Sequence, residues 1–225
     1  IHGFEALLRW RHPEQGVVLP NLFIPSLEQT GLIIPVGNWA IEAACRQLHF
    51  WTEQGFSKWT LSLNLSPIQF EQPDIFQIVS SMLEKYNLSP SRLILEVTES
   101  TALKNLDRSI ELLNAFNHAG ITVSIDDFGT GYSSLSYLQD LDVDTLKIDK
   151  SFVDALEYKN VTPHIIEMAK SLKLAMVAEG VETAGQLAWL HQHGVQYGQG
   201  WYYSKALPKT EFILWAENNL GTHAT

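Results

Sequence analysis

The sequence predicts an α/β fold in which parallel strands close into a (β/α)8 barrel. Short apolar runs alternate with amphipathic helices along all 225 residues, and no Pro/Gly/Ser-rich linker interrupts them. Seven of the runs carry a polar residue at or near their carboxyl end. An open sheet gathers its ligand contacts at one switch point, so polar residues at nearly every strand end favour a barrel. These residues are Glu5, Asn64, Glu96, Asp126, Lys147, Glu179 and Gln199.

Each strand is predicted from a run of apolar or alternating residues. In the first, Phe4, Ala6 and Leu8 alternate with the rest, which places Glu5 and Arg9 on one face. The predicted strands are Gly3 to Arg9, Thr60 to Leu65, Leu93 to Val97, Ile121 to Ile125, Thr145 to Ile148, Ala175 to Ala178 and a last one near Val195 to Tyr197. A closed barrel uses eight strands, so one strand is either cryptic or absent from this chain.

Helices are predicted between the strands from apolar periodicity, and glycines such as Gly55 and Gly120 mark two of their ends. The predicted helices are Phe23 to Gln29, Val36 to Glu53, Ile75 to Tyr86, Asp107 to His118, Pro163 to Leu172, Ala184 to His193 and Thr210 to Leu220.

Composition excludes several classes of protein. A net charge of -10 argues against a protein that grips a DNA or RNA duplex, since such proteins need basic surfaces. The single Cys45 lies among apolar helix residues and is expected to be buried. No apolar run reaches the roughly 18 residues of a membrane span. Because the chain opens at Ile1, directly before a predicted strand and without an initiator methionine, we expect residues 1–225 to be a single domain cut from a longer signalling protein. It is expected to be cytoplasmic, with any membrane anchor outside this chain.

Asp126 and Asp127 are adjacent at a strand end, where they form either a solvated turn or a metal site. Their combination with Glu5, Asn64, Glu96 and Glu179 favours the metal site. A set of hard oxygen ligands suits Mg²⁺ or Mn²⁺ and differs from the His/Cys sets of zinc. Two such cations would activate a water for attack on a phosphodiester.

The basic and aromatic residues near these carboxylates allow two interpretations each. Lys147 is either a structural ion-pair partner or the group that orients the water or neutralises phosphoryl charge. Arg9 is a phosphate clamp or a surface ion-pair residue. The aromatic run Trp201 to Tyr203 either stacks on a nucleobase or packs in the core.

Several motifs, in order and in spacing, resemble the EAL-domain cyclic diguanylate phosphodiesterases of bacteria over essentially the whole chain. They are EALLR at 5–9, NLS at 64–66, EVTE at 96–99, DDFGTGYSSLSYL at 126–138, LKID at 146–149, AEGVET at 178–183 and QG at 199–200.

The resemblance implies a (β/α)8 barrel with an antiparallel first strand, and hydrolysis of cyclic diguanylate to the linear dinucleotide pGpG. It implies two Mg²⁺ or Mn²⁺ ions, with inhibition by Ca²⁺. One ion would be held by Glu5, Asn64, Glu96 and Asp126, and the other by Asp126, Asp127 and Glu179. Lys147 would contact the water, Glu99 would steady the DFGTG loop, and Glu182 would be a second acidic residue at the site. Arg9, Gln199 and Asp149 would contact substrate.

The resemblance also implies a regulatory role for the loop containing Gly129 and Gly131, and a homodimer contact over Ser133 to Leu141. Two features depart from the family pattern. A strand with a Gln-Pro-Ile motif that usually precedes this segment is missing, and Trp201 and Ala206 replace residues that are more common there. A nucleotide receptor without catalysis is the alternative to an enzyme, but every metal-ligand position is kept, which favours the enzyme.

Overall fold

The computed structural model describes residues 1–129, 135–156 and 161–220. The described strands are β1 (Gly3–Ala6), β2 (Trp10–His12), β3 (Gly16–Val18), β4 (Thr60–Asn64), β5 (Leu93–Thr98), β6 (Thr122–Phe128), β7 (Thr145–Ile148), β8 (Ala175–Ala178) and β9 (Tyr197–Gly198). The described helices are α1 (Pro20–Thr30), α2 (Ile33–Glu53), α3 (Pro67–Phe70), α4 (Ile75–Lys85), α5 (Glu99–Lys104), α6 (Leu106–His118), α7 (Leu135–Leu138), α8 (Lys150–Asp154), α9 (Val161–Ser171), α10 (Ala184–Gln192) and α11 (Lys209–Leu220).

The main sheet has seven strands in the order β1-β4-β5-β6-β7-β8-β9, and every adjacent pair is parallel. Helices connect the strands, which confirms the predicted barrel-type α/β fold. The sheet curls until its two edge strands approach each other. The His2 and Tyr197 rings stack with their centroids 4.7 Å apart, and Gln199 bonds to Glu5 across the same gap.

The extent of β1 is the main departure from the prediction, which placed this strand over Gly3 to Arg9. β1 pairs with β4 in parallel; the antiparallel strand implied by the resemblance is the preceding one that is expected to be missing, and it is not among the seven described strands of the main sheet. A parallel β1 is required for Glu5 to lie at the same edge as the other strand ends. β1 also ends at Ala6, and the chain then forms the antiparallel hairpin of β2 and β3 that the sequence did not predict.

The short helices α3, α5 and α8 were also not predicted, and each begins within three residues of a strand end. Their N-caps are Ser66, Thr98 and Asp149, whose side chains accept hydrogen bonds from the backbone of the first turn. Each cap starts a helix within three residues of the strand end. The backbone there is therefore held by hydrogen bonds, and so are the neighbouring residues at the mouth of the barrel.

The core lies between the outer face of the sheet and the helices. β-Strand residues such as Leu95, Val123 and Leu146 are fully buried against helix residues such as Leu48 and Phe116. This burial is the main stabilising contribution, at roughly 25 cal/mol per Å² of apolar surface. Cys45 is also buried, as predicted, and burial raises the pKa of its thiol to about 12. Within the three described ranges, no helix has the length and apolar character to cross a bilayer.

Arg92 is a buried charged residue that joins the end of α2 to the start of β5. Its Nε donates to the Trp59 carbonyl at 2.9 Å and its Nη2 donates to the Phe56 carbonyl at 3.0 Å. Its Nη1 donates to the Leu48 carbonyl and to the Thr52 hydroxyl. The guanidinium therefore satisfies the carboxyl end of α2, where the helix dipole favours a cation.

Arg92→Met is expected to lower the free energy of unfolding by about 3 kcal/mol, because buried carbonyls lose their donors. Lys104→Met is the control, since Lys104 is exposed and its ion pair with Glu71 is long, at 3.9 Å. This variant should lower the free energy of unfolding by less than about 1 kcal/mol. Urea unfolding of both variants measures the difference. Equal losses in the two variants would contradict the assigned role of Arg92.

Candidate active site

The register of the parallel strands brings the polar residues together at one end of the barrel. Asn64 is paired directly with Glu96 in the neighbouring strand, and Thr98 is paired with Asp126. Lys147 is paired with Val177, so Glu179, two residues further along, follows on the same face. Side chains that are far apart in sequence thus meet at the carboxyl ends of the strands.

Lys147 is the centre of this cluster. Its side chain is 2% exposed, and its Nζ lies 2.5 Å from Glu179 Oε1 and 2.8 Å from Glu96 Oε2. Asp126 Oδ2 is 3.3 Å away and Glu5 Oε2 is 3.8 Å away. One ammonium therefore faces four carboxylates, each from a different strand or strand end.

The Glu5 carboxylate is fixed by two amides as well as by its proximity to Lys147. Asn64 Nδ2 donates to Oε1 at 2.7 Å and Gln199 Nε2 donates to Oε2 at 2.5 Å. These contacts join the first strand of the sheet to its neighbour and to the segment after the last strand. They place Asn64 and Gln199 at the site, as the sequence predicts.

Asp126 and Asp127 lie on an irregularity of β6. The register between β6 and β7 shifts between Ile125 and Phe128, and Asp127 has a positive φ of 54°. In a regular strand two consecutive side chains point to opposite faces, whereas a bulge can redirect one of them. The distortion allows both carboxylates to approach the same site.

Asp126, Asp127 and Glu179 form a group that could hold a metal ion. One carboxylate oxygen from each lies within 4.8 Å of the other two. The donors are all hard oxygen atoms, which suits a divalent cation such as Mg²⁺ or Mn²⁺. With Glu5 and Glu96 the site has five carboxylates and one ammonium, so its charge balance also fits bound cations.

The pKa values of the buried groups reflect this charge balance. Burial raises the pKa of Glu96 to about 8 and that of Glu179 to about 7, although Lys147 opposes both shifts. Burial likewise raises the pKa of Asp127, and the neighbouring Asp126 raises it further. Burial alone would lower the pKa of Lys147, but the surrounding carboxylates, Glu96 first, raise it above its ordinary value. Lys147 therefore stays protonated, and the raised pKa values of Glu96 and Glu179 lie close to neutral pH.

Glu99, the first residue of α5, contacts the chain beyond β6. Its Oε2 accepts a hydrogen bond from the Gly129 amide at 3.0 Å, and its side chain is buried. The predicted loop begins here, but its residues Gly131, Ser133 and Ser134 lie outside the described residues. The contact with Gly129 is the part of the expected Glu99 role that the structure describes.

Glu182 lies three residues after Glu179 but is absent from the described group of potential metal ligands. Its carboxylate is 2.8 Å from the Lys150 Nζ, which also lies 3.0 Å from Asp154. Sequence reasoning missed Lys150. The available signal was its position directly after LKID, three residues beyond Lys147.

Arg9 and Asp149 form their described hydrogen bonds outside the group of Lys147 and the carboxylates around it. Because β1 ends at Ala6, the argument that Arg9 shares a face with Glu5 does not hold; Arg9 is exposed, and its Nη1 donates to the Leu8 carbonyl at 2.7 Å. Asp149 caps α8 by accepting from the Ser151 amide at 3.0 Å, and it contributes to the raised pKa of Asp127. Their substrate contacts stay predictions.

An aromatic turn follows Gln199. Trp201 is 65% exposed, which excludes core packing for this residue, and Lys205 Nζ lies 4.8 Å from its ring centroid. The turn is held because the Tyr202 amide donates to the Val181 carbonyl at 2.9 Å. Gly200 is required here, since a Cβ would lie 2.2 Å from the Val181 carbonyl oxygen.

A family model described as the EAL domain matches residues 1–206. The chain belongs to the EAL domain family. This EAL domain is 51% identical over 220 residues to the probable cyclic di-GMP phosphodiesterase PdeB of Escherichia coli, covering 98% of this chain and 42% of that protein. It is 41% identical to the bifunctional diguanylate cyclase/cyclic di-GMP phosphodiesterase MucR of Pseudomonas aeruginosa, covering 94% and 31%. The chain thus spans less than half of both curated relatives.

Solved structures give the same result for the fold of this EAL domain. The MucR phosphodiesterase in complex with c-di-GMP matches with a TM-score of 0.89 at 41% identity, covering 92% of this chain and 86% of that one. The FimX EAL domain of Pseudomonas aeruginosa bound to c-di-GMP matches with a TM-score of 0.81 at 25% identity, covering 89% and 82%.

Cation binding to the EAL domain is expected to strengthen as pH rises from 6 to 8. Glu96 and Glu179, with pKa values of about 8 and about 7, must lose their protons to become ligands. Each displaced proton gives an affinity change of up to about ten-fold per pH unit below the pKa of its group, so the slope should flatten as pH approaches 8. Calorimetric titration with Mn²⁺ checks this, and Glu96→Gln should reduce the slope. An affinity that does not change with pH would contradict the assignment.

Proposed function

We propose that this EAL domain hydrolyses cyclic di-GMP to the linear dinucleotide pGpG in bacterial second-messenger signalling. The observation that carries the proposal is the group formed by Asp126, Asp127 and Glu179 beside the buried Lys147. Two related chains, PdeB and MucR, are named as cyclic di-GMP phosphodiesterases, and the MucR structure contains c-di-GMP. These similarities support the substrate.

Two divalent cations, Mg²⁺ or Mn²⁺, are proposed as cofactors. Glu5, Asn64, Glu96 and Asp126 would hold one, and Asp126, Asp127 and Glu179 would hold the other. When bound, the cations supply a water of lowered pKa and stabilise negative charge on the phosphoryl group.

The protein residues would position the reactants. Lys147, protonated and fixed by Glu96 and Glu179, would hold the water and neutralise charge that develops on the phosphoryl oxygens. Arg9, Gln199 and Asp149 are proposed to contact the substrate. The exposed Trp201, on the turn after Gln199, is available to stack on a guanine.

Incubation of the purified domain with cyclic di-GMP and Mg²⁺, followed by separation of the products, tests the function. Formation of pGpG is the expected result. Binding of cyclic di-GMP without a product would instead identify a nucleotide receptor. Absence of both binding and product would overturn the proposal.

Turnover is expected to depend on the cation. Excess chelator should abolish it, and Mg²⁺ or Mn²⁺ should restore it. Ca²⁺ should inhibit, because its longer bonds and looser coordination would misplace the water. Full activity in excess chelator would rule out a two-metal mechanism.

Lys147→Met is expected to lower kcat by about 100-fold or more, since electrostatic stabilisation of the transition state is lost. Binding of cyclic di-GMP in Ca²⁺, measured by calorimetry, should change much less. Lys85→Met, which removes an exposed partner of Glu42, is the control for loss of an ion pair. A higher KM with unchanged kcat would show that Lys147 acts in substrate binding instead.

Glu99→Gln should lower both Mn²⁺ affinity and turnover, because Glu99 accepts the Gly129 amide directly after the bulge that carries Asp126 and Asp127. A charged acceptor gives the stronger bond. Glu111→Gln, at an exposed position of α6, is the control. Unchanged Mn²⁺ affinity in Glu99→Gln would show that the loop position does not influence the site.

Assembly and location are also proposals. A homodimer through residues 133–141 stays a prediction, and residues 133–134 of that segment lie outside the described part of the chain. The segment would give an upstream sensor a route to the site through Gly129 and Glu99. We further propose that the domain acts in the cytoplasm as one module of a longer signalling protein.

A further inference from the structure

The end of β7 and the residues after it contact the segment that follows β8 at two levels. The Glu179 amide donates to the Ile148 carbonyl at 3.0 Å, and the Glu179 carboxylate meets Lys147 at 2.5 Å. Three residues further along both segments, Lys150 meets Glu182 at 2.8 Å. Two lysines three residues apart thus pair with two glutamates three residues apart.

The aliphatic part of Lys150 also contacts this turn. Gly180 has a φ of +65°, and a Cβ built on it would lie 2.3 Å from Lys150 Cγ. The lysine stem therefore packs directly over the Gly180 backbone, between Glu179 and Glu182. Asp154, 3.0 Å from the Lys150 Nζ, anchors the ammonium from its own helix.

We propose that Lys150 is a positioning residue that holds Glu182 and the turn 179–182 in register with the metal-binding carboxylates. This inference rests on the proposed metal-dependent function and deepens it. Lys150 would act through Glu182 and Gly180, without contact to the reacting atoms. Residues that orient a metal site from outside the ligand set are a general feature of such sites.

Electrostatic repulsion and positioning predict opposite changes in cation affinity when the Lys150 ammonium is removed. A positive charge near a cation site repels the cation, so removal of the charge alone would strengthen cation binding. The Lys150 side chain is 46% exposed and paired with two carboxylates, so solvent and partners screen that repulsion. Loss of the positioning contact should dominate and weaken binding.

The test compares Lys150→Met, which keeps the stem and removes the ammonium, with Lys150→Arg. Lys170→Met is a matched control. Lys170 is 43% exposed, lies 2.7 Å from Glu167, and its Cε would be 3.2 Å from a Cβ on Gly194. Lys170, on helix α9, therefore has a similar exposure, an ion pair with one carboxylate and a contact with a glycine.

Calorimetry with Mn²⁺ alone is the first readout, and kcat and KM for cyclic di-GMP are the second. Lys150→Met should weaken Mn²⁺ binding by about ten-fold and lower kcat more than it changes KM. Lys150→Arg should restore most of the loss, and Lys170→Met should match the wild type. Asp154→Asn, which loosens Lys150 without altering it, should give a smaller loss in the same direction.

A double-mutant cycle with Glu182→Gln tests whether Lys150 influences Mn²⁺ binding through Glu182. If Lys150 acts through Glu182, the double variant should lose little more than either single variant. Additive losses, unchanged or tighter Mn²⁺ binding, or an equal loss in Lys170→Met would overturn the role of Lys150. Failure of the wild type to hydrolyse cyclic di-GMP would overturn the proposed function alone, since the Mn²⁺ comparison would still decide the inference. A wild type that bound no Mn²⁺ would overturn both.

Discussion

The arrangement of the site depends on the buried ammonium of Lys147 among four carboxylates. Burying a charge is costly unless it is paired, and here the partners come from β1, β5, β6 and the end of β8. Any slip of one strand against its neighbours would separate a carboxylate from the ammonium. The cluster therefore ties the register of the curled sheet to the geometry of its mouth.

The same cluster has more carboxylates than ammonium groups. This excess of negative charge lowers the stability of the fold and also favours the binding of cations. The carboxylates outnumber the single ammonium, and burial holds the pKa values of Glu96 and Glu179 near neutrality. An apolar core alone would be more stable than such a group of like charges. The arrangement is consistent with a site that admits divalent cations, which would offset the remaining negative charge.

Local backbone distortion supplies the rest of the geometry. Asp127 adopts a positive φ that side-chain-bearing residues rarely take, and the bulge there lets adjacent carboxylates serve one site. Glu99 holds the chain just beyond it through the Gly129 amide. In the segments that follow β7 and β8, Lys150 covers Gly180 and pairs with Glu182. A rigid sheet thus carries a site whose borders are fixed by short polar contacts.

The sequence by itself determined the fold class, most of the strands and the residues at their ends, because apolar alternation locates strands and polar residues recurring at the ends of apolar strands indicate a shared site. It also determined the EAL family through its spaced motifs. Only the tertiary structure decided the contacts of Lys147, the bulge at Asp127, the end of β1 before Arg9 and the pairing of Glu182 with Lys150. Local patterns give the face of a strand on which a residue lies, but contacts between side chains depend on the register of strands and loops distant in sequence.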